Sequence, residues 1–277
     1  MNVDDFIRLA LEEDLGDGDH TSLSTIAEGK MGAAQLLVKQ EGILAGVAVA
    51  KKVFKAVDPD TKLDIFIKDG AVIHPGDIAF KVSGRSASLL SAERLALNFM
   101  QRMSGIATYT HYLTGLLEGL HTRLLDTRKT TPNFRYFEKE AVRIGGGVNH
   151  RMGLYDMIMI KDNHVDFAGG ITNAIKACNK YLDNKNKTLK IEIEVRNLKE
   201  VREVMECRGV DRIMFDNFSV KMMKEAVEMV SGRYETEASG GITEDTLREV
   251  AETGVDFISV GALTHQVRSL DLSLKAL

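Results

Sequence analysis

RIMFDNFSVKMMKEAVEMVSGRYETEASGG, residues 212–241, is the stretch on which the fold turns. RIMFD is a short apolar run ending in a carboxylate, VKMMKEAVEMV spaces its apolar residues as a helix does, and ETEASGG is a second short run that closes on a glycine turn. Strand, helix and strand in that order make a βαβ unit with parallel strands. The rhythm continues on both sides. LLDT (124–127), MIMIK (157–161) and KIEIEV (190–195) come before it, FISVGA (257–262) comes after, and ITNAIKACNKYL (171–182) is a further helical segment. Strands arriving every ~20 to 35 residues have the spacing of repeated βα units, but about six are visible where a closed barrel has eight.

Toward the N-terminus the pattern is different. Phe6, Leu9, Ala10 and Leu11 recur at helical spacing until Gly16 and Gly18 break it. DLGDGDHTS (14–22) carries Asp14, Asp17 and Asp19 but lacks the glycine and distal glutamate of an EF-hand, so it reads as a capped turn. QLLVKQ (35–40), GILAGVAVAKKVF (42–54) and IAFKVSG (78–84) read as β-type segments, punctuated by Asp58-Pro59-Asp60 and His74-Pro75-Gly76. They suit a small sheet domain with one or two helices. From Ser91, a plausible N-cap, SAERLALNFMQRMSGIATYTHYLTGLLEGL reads as two helices joined near Ser104-Gly105. DNKNK (183–187) reads as a solvated loop.

Composition limits the function. The 277 residues are 44% hydrophobic, enough for a barrel plus a smaller domain. A net charge of −4 without a basic stripe gives no footprint for nucleic acid. The apolar runs fall far short of the roughly 20 residues of a membrane span, and the acidic start lacks a signal peptide's basic region, so a cytoplasmic location is expected. Cys178 and Cys207 stand outside any CxxC or metal spacing and read as ordinary thiols.

In parallel α/β barrels the chemistry sits at the carboxyl ends of the strands. There LLDT runs into Arg128, Lys129 and Thr130, MIMI ends at Lys161, KIEIE supplies Glu192 and Glu194, and RIMF ends at Asp216. ETEA ends in Ser239-Gly240-Gly241 and FISV at Gly261. His150 and Arg151, from the glycine-rich GGGVNHR (145–151), would join them. Cations ~4 Å apart repel by roughly 4 kcal/mol at an effective dielectric near 20, a cost that an anionic ligand offsets. Glu194 and Asp216 suit ribose hydroxyls or a magnesium ion, or else ion pairs with the same cations. The glycine turns after the last two strands suit a phosphate. Arg94, among the leucines of SAERLALNF, is either a solvated charge or a functional one.

These motifs carry a resemblance. EEDLGDGDHTS, GILAG, ERLALNFMQRMSGIAT, DTRKTTP, AVRIGGGVNHRMGLYDMIMIKDNH, EASGGI and GVDFISVGALTH together resemble the quinolinate phosphoribosyltransferases along almost the whole chain. The order DTRKT, GGGxNHR, IKDNH is the specific part. The resemblance implies an N-terminal α/β sandwich domain over 1–107 and an open, incomplete α/β barrel over 108–277, whose last helix can pack back on the N-terminal domain. It implies transfer of a phosphoribosyl group from phosphoribosyl pyrophosphate to quinolinate with loss of CO2, in NAD biosynthesis, with Mg2+. It also implies a homodimer in which Arg94 reaches in from the neighbouring subunit. Quinolinate would be held by Arg94, Arg128, His150 and Arg151, with Lys129 and Lys161 close to quinolinate and pyrophosphate. Glu194 and Asp216 would serve the phosphoribosyl ring and its magnesium, and Ser239, Gly240, Gly241 and Gly261 the 5-phosphate. Lys129, Lys161, Glu194 and Asp216 are the expected catalytic groups. The rival readings are a ModD-like protein of the same superfamily, a Schiff-base aldolase using Lys161 and a phosphometabolite-binding protein.

Overall fold

A computed structural model describes residues 2–277, which fall into two compact units. The first takes the chain through His111 together with Phe137–Gly146 and Gln266–Leu277; the second takes Tyr112–Tyr136 and Gly147–His265. The expected boundary lay between 107 and 108, with one crossing instead of these excursions.

The chain begins with α1 (Val3–Leu15), α2 (His20–Thr25), β1 (Met31–Val38), β2 (Gly42–Ile43) and α3 (Val47–Val57). β3 (Lys62–Ile65), β4 (Val72–Ile73), β5 (Ile78–Arg85) and the long α4 (Ser86–Leu116) follow. β1 alternates burial over its second half, and Ala34, Leu36 and Val38 all face the core. It pairs antiparallel with β5 on one side and, on the other, with the C-terminal strand in an Ala34↔Ala276 register. Phe137 stands edge-on to Phe6 and Phe99 at 5.0 and 4.7 Å, closing an aromatic core in the same unit.

Three expectations fail in this unit, each for a tertiary reason. Residues 47–54 of the supposed β-segment lie in the helix α3, because the Asp69 carboxylate caps the Val47 N–H at 2.8 Å and Val47, Ala50, Val53 and Phe54 bury one helical stripe. Ser104-Gly105 does not break a helix. α4 runs unbroken from Ser86, so Ser91 is internal, its Oγ donating to Asp19 at 3.2 Å. The Ser104 hydroxyl is buried on the Ala45 backbone, and a side chain at Gly105 would strike the Arg268 carbonyl. The C-terminus, expected as a helix, forms a strand along β1.

The second unit runs β6 (Arg123–Leu125), α5 (Arg135–Ile144), β7 (Ile158–Ile160), α6 (Asp162–Ala168), α7 (Ile171–Lys185), β8 (Ile191–Val195) and α8 (Leu198–Cys207). It continues with β9 (Arg212–Asp216), α9 (Val220–Val230), β10 (Glu235–Ser239), α10 (Glu244–Ala251), β11 (Phe257–Ser259) and α11 (Ala262–His265), after which β12 (Leu272–Ala276) ends the chain in the first unit. α5 spans the two units, its residues from Phe137 onward belonging to the first.

All six expected strands are present and form one parallel sheet in the order β6-β11-β10-β9-β8-β7. Beyond β6, among the described residues, a single parallel bridge joins Leu125 to Val148, and no ladder links that segment to β7. The barrel is open there. β8, β9 and β11 are buried along nearly their whole length, as strands covered on both faces must be. The charges that interrupt them therefore need partners.

Candidate active site

Parallel strands bring their carboxyl ends to one edge, and the residues expected there arrive together. Lys161 follows β7 directly, and because Ile160 is in register with Ile193, its Nζ donates to Glu194 Oε1 at 2.8 Å. Asp216, ending β9, is in register with Ser239, ending β10, and the Asn217 N–H donates to the Ser239 carbonyl at 2.9 Å. The next residue, Gly240, has φ 95°, and a side chain there would run into the Asn217 amide. Gly241 is also left-handed, so two backbone N–H groups are turned ahead of α10, which Thr243 caps. After β11, Gly261 leaves room for Lys129: a Cβ there would sit 2.9 Å from the lysine Cδ. The Thr264 hydroxyl holds the Lys129 carbonyl at 2.7 Å.

Arg128 and Lys129 are exposed at this edge, and Arg151 is half-buried with Nη1 donating to the Met157 carbonyl at 3.1 Å. Burial and the neighbouring Arg128 both depress the Arg151 pKa. That is the crowding of like charges inferred from the sequence.

The segment that presents Arg151 has almost no ladder to hold it, so side chains do the work. Asp126, wholly buried at the end of β6, accepts from the His150 N–H at 2.8 Å and the Asn149 amide at 2.6 Å. Asp156 accepts from Met152 N at 2.6 Å and Gly153 N at 2.8 Å. His150 is buried: its Nδ1 accepts from the Arg151 N–H at 2.6 Å, and its Nε2 lies 2.9 Å from Glu192 Oε2 and 3.5 Å from Glu237 Oε2. Burial disfavours a charged ring, but the facing Glu192 and Glu237 overturn this and draw the cluster's proton affinity at His150 up to about 9. Burial and the charge of Glu237 push the Glu192 carboxyl upward as well, so the cluster titrates as a unit.

Arg128, Lys129, Arg151, Lys161, Glu194, Asp216, Ser239, Gly240, Gly241 and Gly261 all belong to the second unit. Arg94 is exposed on α4, in the first. His150, expected on the ligand, is buried in the same unit, its Nδ1 facing the Arg151 N–H. Sequence reasoning missed Asp126, Asn149, Arg212 and Glu237. The signal existed: EIE and ETE place charges at alternate positions of runs that both-face burial should keep apolar.

Glu194 and Asp216 are hard oxygen donors on adjacent strands, and no third His, Cys, Asp or Glu atom gathers with them among the described residues. This fits Mg2+, which takes one or two carboxylates and completes its shell with water and substrate phosphates.

Residues 106–275 match the family model "Quinolinate phosphoribosyl transferase, C-terminal domain" and residues 19–104 match the corresponding N-terminal domain. The chain belongs to the quinolinate phosphoribosyltransferase family. A chloroplastic, carboxylating nicotinate-nucleotide pyrophosphorylase of Arabidopsis thaliana is 48% identical, over 97% of this chain and 81% of that protein. The crystal structure of NadC from Streptococcus pyogenes superposes with a TM-score of 0.94 at 38% identity, covering 99% of this chain and 97% of that one. The nicotinate-nucleotide pyrophosphorylase of Francisella tularensis gives 0.92 at 39% identity, over 99% and 96% of the two chains. This phosphoribosyltransferase family therefore accounts for nearly the whole chain, with the parallel sheet in its C-terminal domain.

Proposed function

We propose that the edge formed by β6 to β11 transfers the phosphoribosyl group of phosphoribosyl pyrophosphate to the ring nitrogen of quinolinate, releasing CO2, pyrophosphate and nicotinate mononucleotide for NAD biosynthesis. The observation that carries this is the convergence of Arg128, Lys129, Arg151 and Lys161 on a rim that holds just two of the expected carboxylates, Glu194 and Asp216. A surplus of cations suits a diacid beside a sugar phosphate.

Arg128 and Arg151 bind the quinolinate carboxylates, and forked guanidinium groups match their geometry. Lys129, lying along Gly261, and Lys161 stabilise the negative charge that grows on departing pyrophosphate. Glu194 and Asp216 face the ribose, where positive charge develops, and would hold Mg2+, which neutralises phosphate charge when bound. The turned N–H groups of Gly240 and Gly241, with Ser239, receive the 5-phosphate. Once ribosylated, the ring nitrogen is cationic and takes up the electrons left by the departing carboxylate, so the protein's task in that step is to hold the ring in place. The Schiff-base alternative loses support from the ion pair at Lys161, because an ammonium donating to Glu194 has no lone pair to attack with.

A homodimer in which Arg94 of one copy completes the site of the other belongs to the same proposal, supported by an exposed arginine in a helix rich in apolar residues. So does a cytoplasmic location: no helix among the described residues is long and apolar enough to cross a membrane, although the plant relative is chloroplastic by name. Incubation with carboxyl-labelled quinolinate, phosphoribosyl pyrophosphate and Mg2+ should release labelled CO2 and form nicotinate mononucleotide. Absence of both products would end the proposal.

A further inference from the structure

The two stretches that carry the rim arginines have little regular structure to hold them. Arg128 lies within residues 126–134, which form no helix or strand, and Arg151 lies on the segment joined to the sheet by one bridge. Arg135 touches both. It opens α5 directly after a turn over residues 131–134, closed by the Phe134 N–H on the Thr131 carbonyl at 3.1 Å. Pro132 takes the second place of that turn and Asn133 the third at φ 63°, a left-handed conformation that asparagine tolerates. The turn brings the chain back to Thr130, whose hydroxyl accepts from Arg135 Nε at 3.0 Å. From another nitrogen, Nη1, the same guanidinium donates at 2.9 Å to the carbonyl of Met152, the residue after Arg151. Thr130, Arg135 and Met152 all belong to the second unit.

The usual reasons for an arginine do not apply at this place. Neither acceptor is charged, and no carboxylate pairs with Arg135 among the described residues. A cation in the first turn of a helix also stands at the wrong end of the helix dipole. The side chain is nonetheless half-buried, so it gives up hydration without a counter-charge. What it supplies is shape: a planar group with donors in fixed directions can hold two chain segments at once, which the single ammonium of a lysine cannot.

We propose that Arg135 is a positioning residue for quinolinate: it ties the stretch carrying Arg128 to the stretch carrying Arg151 and so sets the spacing of the two guanidinium groups that receive the diacid. The proposal rests on Arg128 and Arg151 being quinolinate contacts. Lys129 depends less on the tie, because the Thr264 hydroxyl holds its carbonyl independently at 2.7 Å.

The test has two arms. In the first, backbone hydrogen–deuterium exchange is read by mass spectrometry without substrate. Arg135→Lys should speed exchange about tenfold in residues 126–134 and in residues 148–157 together, the scale of one lost hydrogen bond from a charged donor, and leave α9 unchanged. Should α9 also exchange faster, Thr130→Val, which keeps the arginine and removes one acceptor, decides by the same reading. Faster exchange in one stretch alone, or in neither, would overturn the proposal. In the second arm, Arg135→Lys raises the quinolinate KM about tenfold and leaves the phosphoribosyl pyrophosphate KM within about threefold. Combined with Thr130→Val, its effect on the quinolinate KM should be smaller than the product of the two single effects. Both KM values rising together, or effects that simply multiply, would also overturn it. A wild-type protein inert toward quinolinate would strike the functional reading, and the exchange arm would still decide whether Arg135 ties the two stretches.

Discussion

Lys161–Glu194 and Arg212–Glu237 are the same pairing of charges at nearly the same length, 2.8 and 2.9 Å, set on neighbouring strands of one sheet. They differ in where they stand. The Lys161 side chain is 45% exposed and that of Glu194 13%, against 10% and 0% for Arg212 and Glu237. The rim pair keeps water within reach, so either partner can exchange the other for a ligand at little cost. The lower pair has given up its hydration and can exchange with nothing. One sheet thus carries an exchangeable charge layer over a fixed one, separated on a strand by its two-residue period.

Breaking the lower pair should have the largest effect. Arg212→Met leaves Glu237 buried and uncompensated, and the unfolding free energy from urea titration should fall by ~3–5 kcal/mol; a loss below about 1 kcal/mol would mean that the two layers do not differ. The rim responds in rate instead. Lys161→Ala or Lys129→Ala should lower turnover by roughly a hundredfold or more, the scale of one preorganised electrostatic group, while stability moves by ~1 kcal/mol at most. Near-normal turnover in folded variants would remove these lysines from the mechanism. Glu194→Gln and Asp216→Asn should raise the KM for phosphoribosyl pyrophosphate and the Mg2+ needed for half-maximal rate, each by about tenfold, with the quinolinate KM little changed.

The smallest effect is in pH. The folded cluster around His150 holds a proton more tightly than the unfolded chain, its affinity raised from the ordinary 6.5 to about 9. The folded state then binds more protons, so this stabilisation is complete below about pH 6.5 and is lost as pH rises through about 9. Urea midpoints measured across that window should decline, and Glu237→Gln, which removes one of the carboxylates that raise the affinity, should flatten the decline. A midpoint rising with pH would contradict the sign.

The rim was legible in the sequence because strand ends are marked twice, by the end of an apolar run and by the charge that follows. Lys161, Glu194 and Asp216 each sit at such a junction. The lower layer was half visible: Glu192 stood in plain view inside KIEIE, but alternation alone does not tell a buried face from a solvated one. Asp126 was hidden for a different reason. Its role is to grip residues 148–150, a segment joined to the sheet by a single bridge, and no local pattern reports that contact.

By itself the sequence determined the βα repeat, the shortfall from eight strands, the cationic rim and the family, since each depends on residue order and on spacings that local physics enforces. Only the tertiary structure decided that α3 is a helix and not a strand, that α4 runs straight through Ser104-Gly105, that the last strand returns to β1, and that His150 turns inward to Glu192 and Glu237. The physical reason is the same in each case. A cap from Asp69, a close approach at Gly105, a vacant strand edge and a pair of buried carboxylates are supplied by residues distant in the chain, and they outweigh local propensities of a few tenths of a kcal/mol per residue.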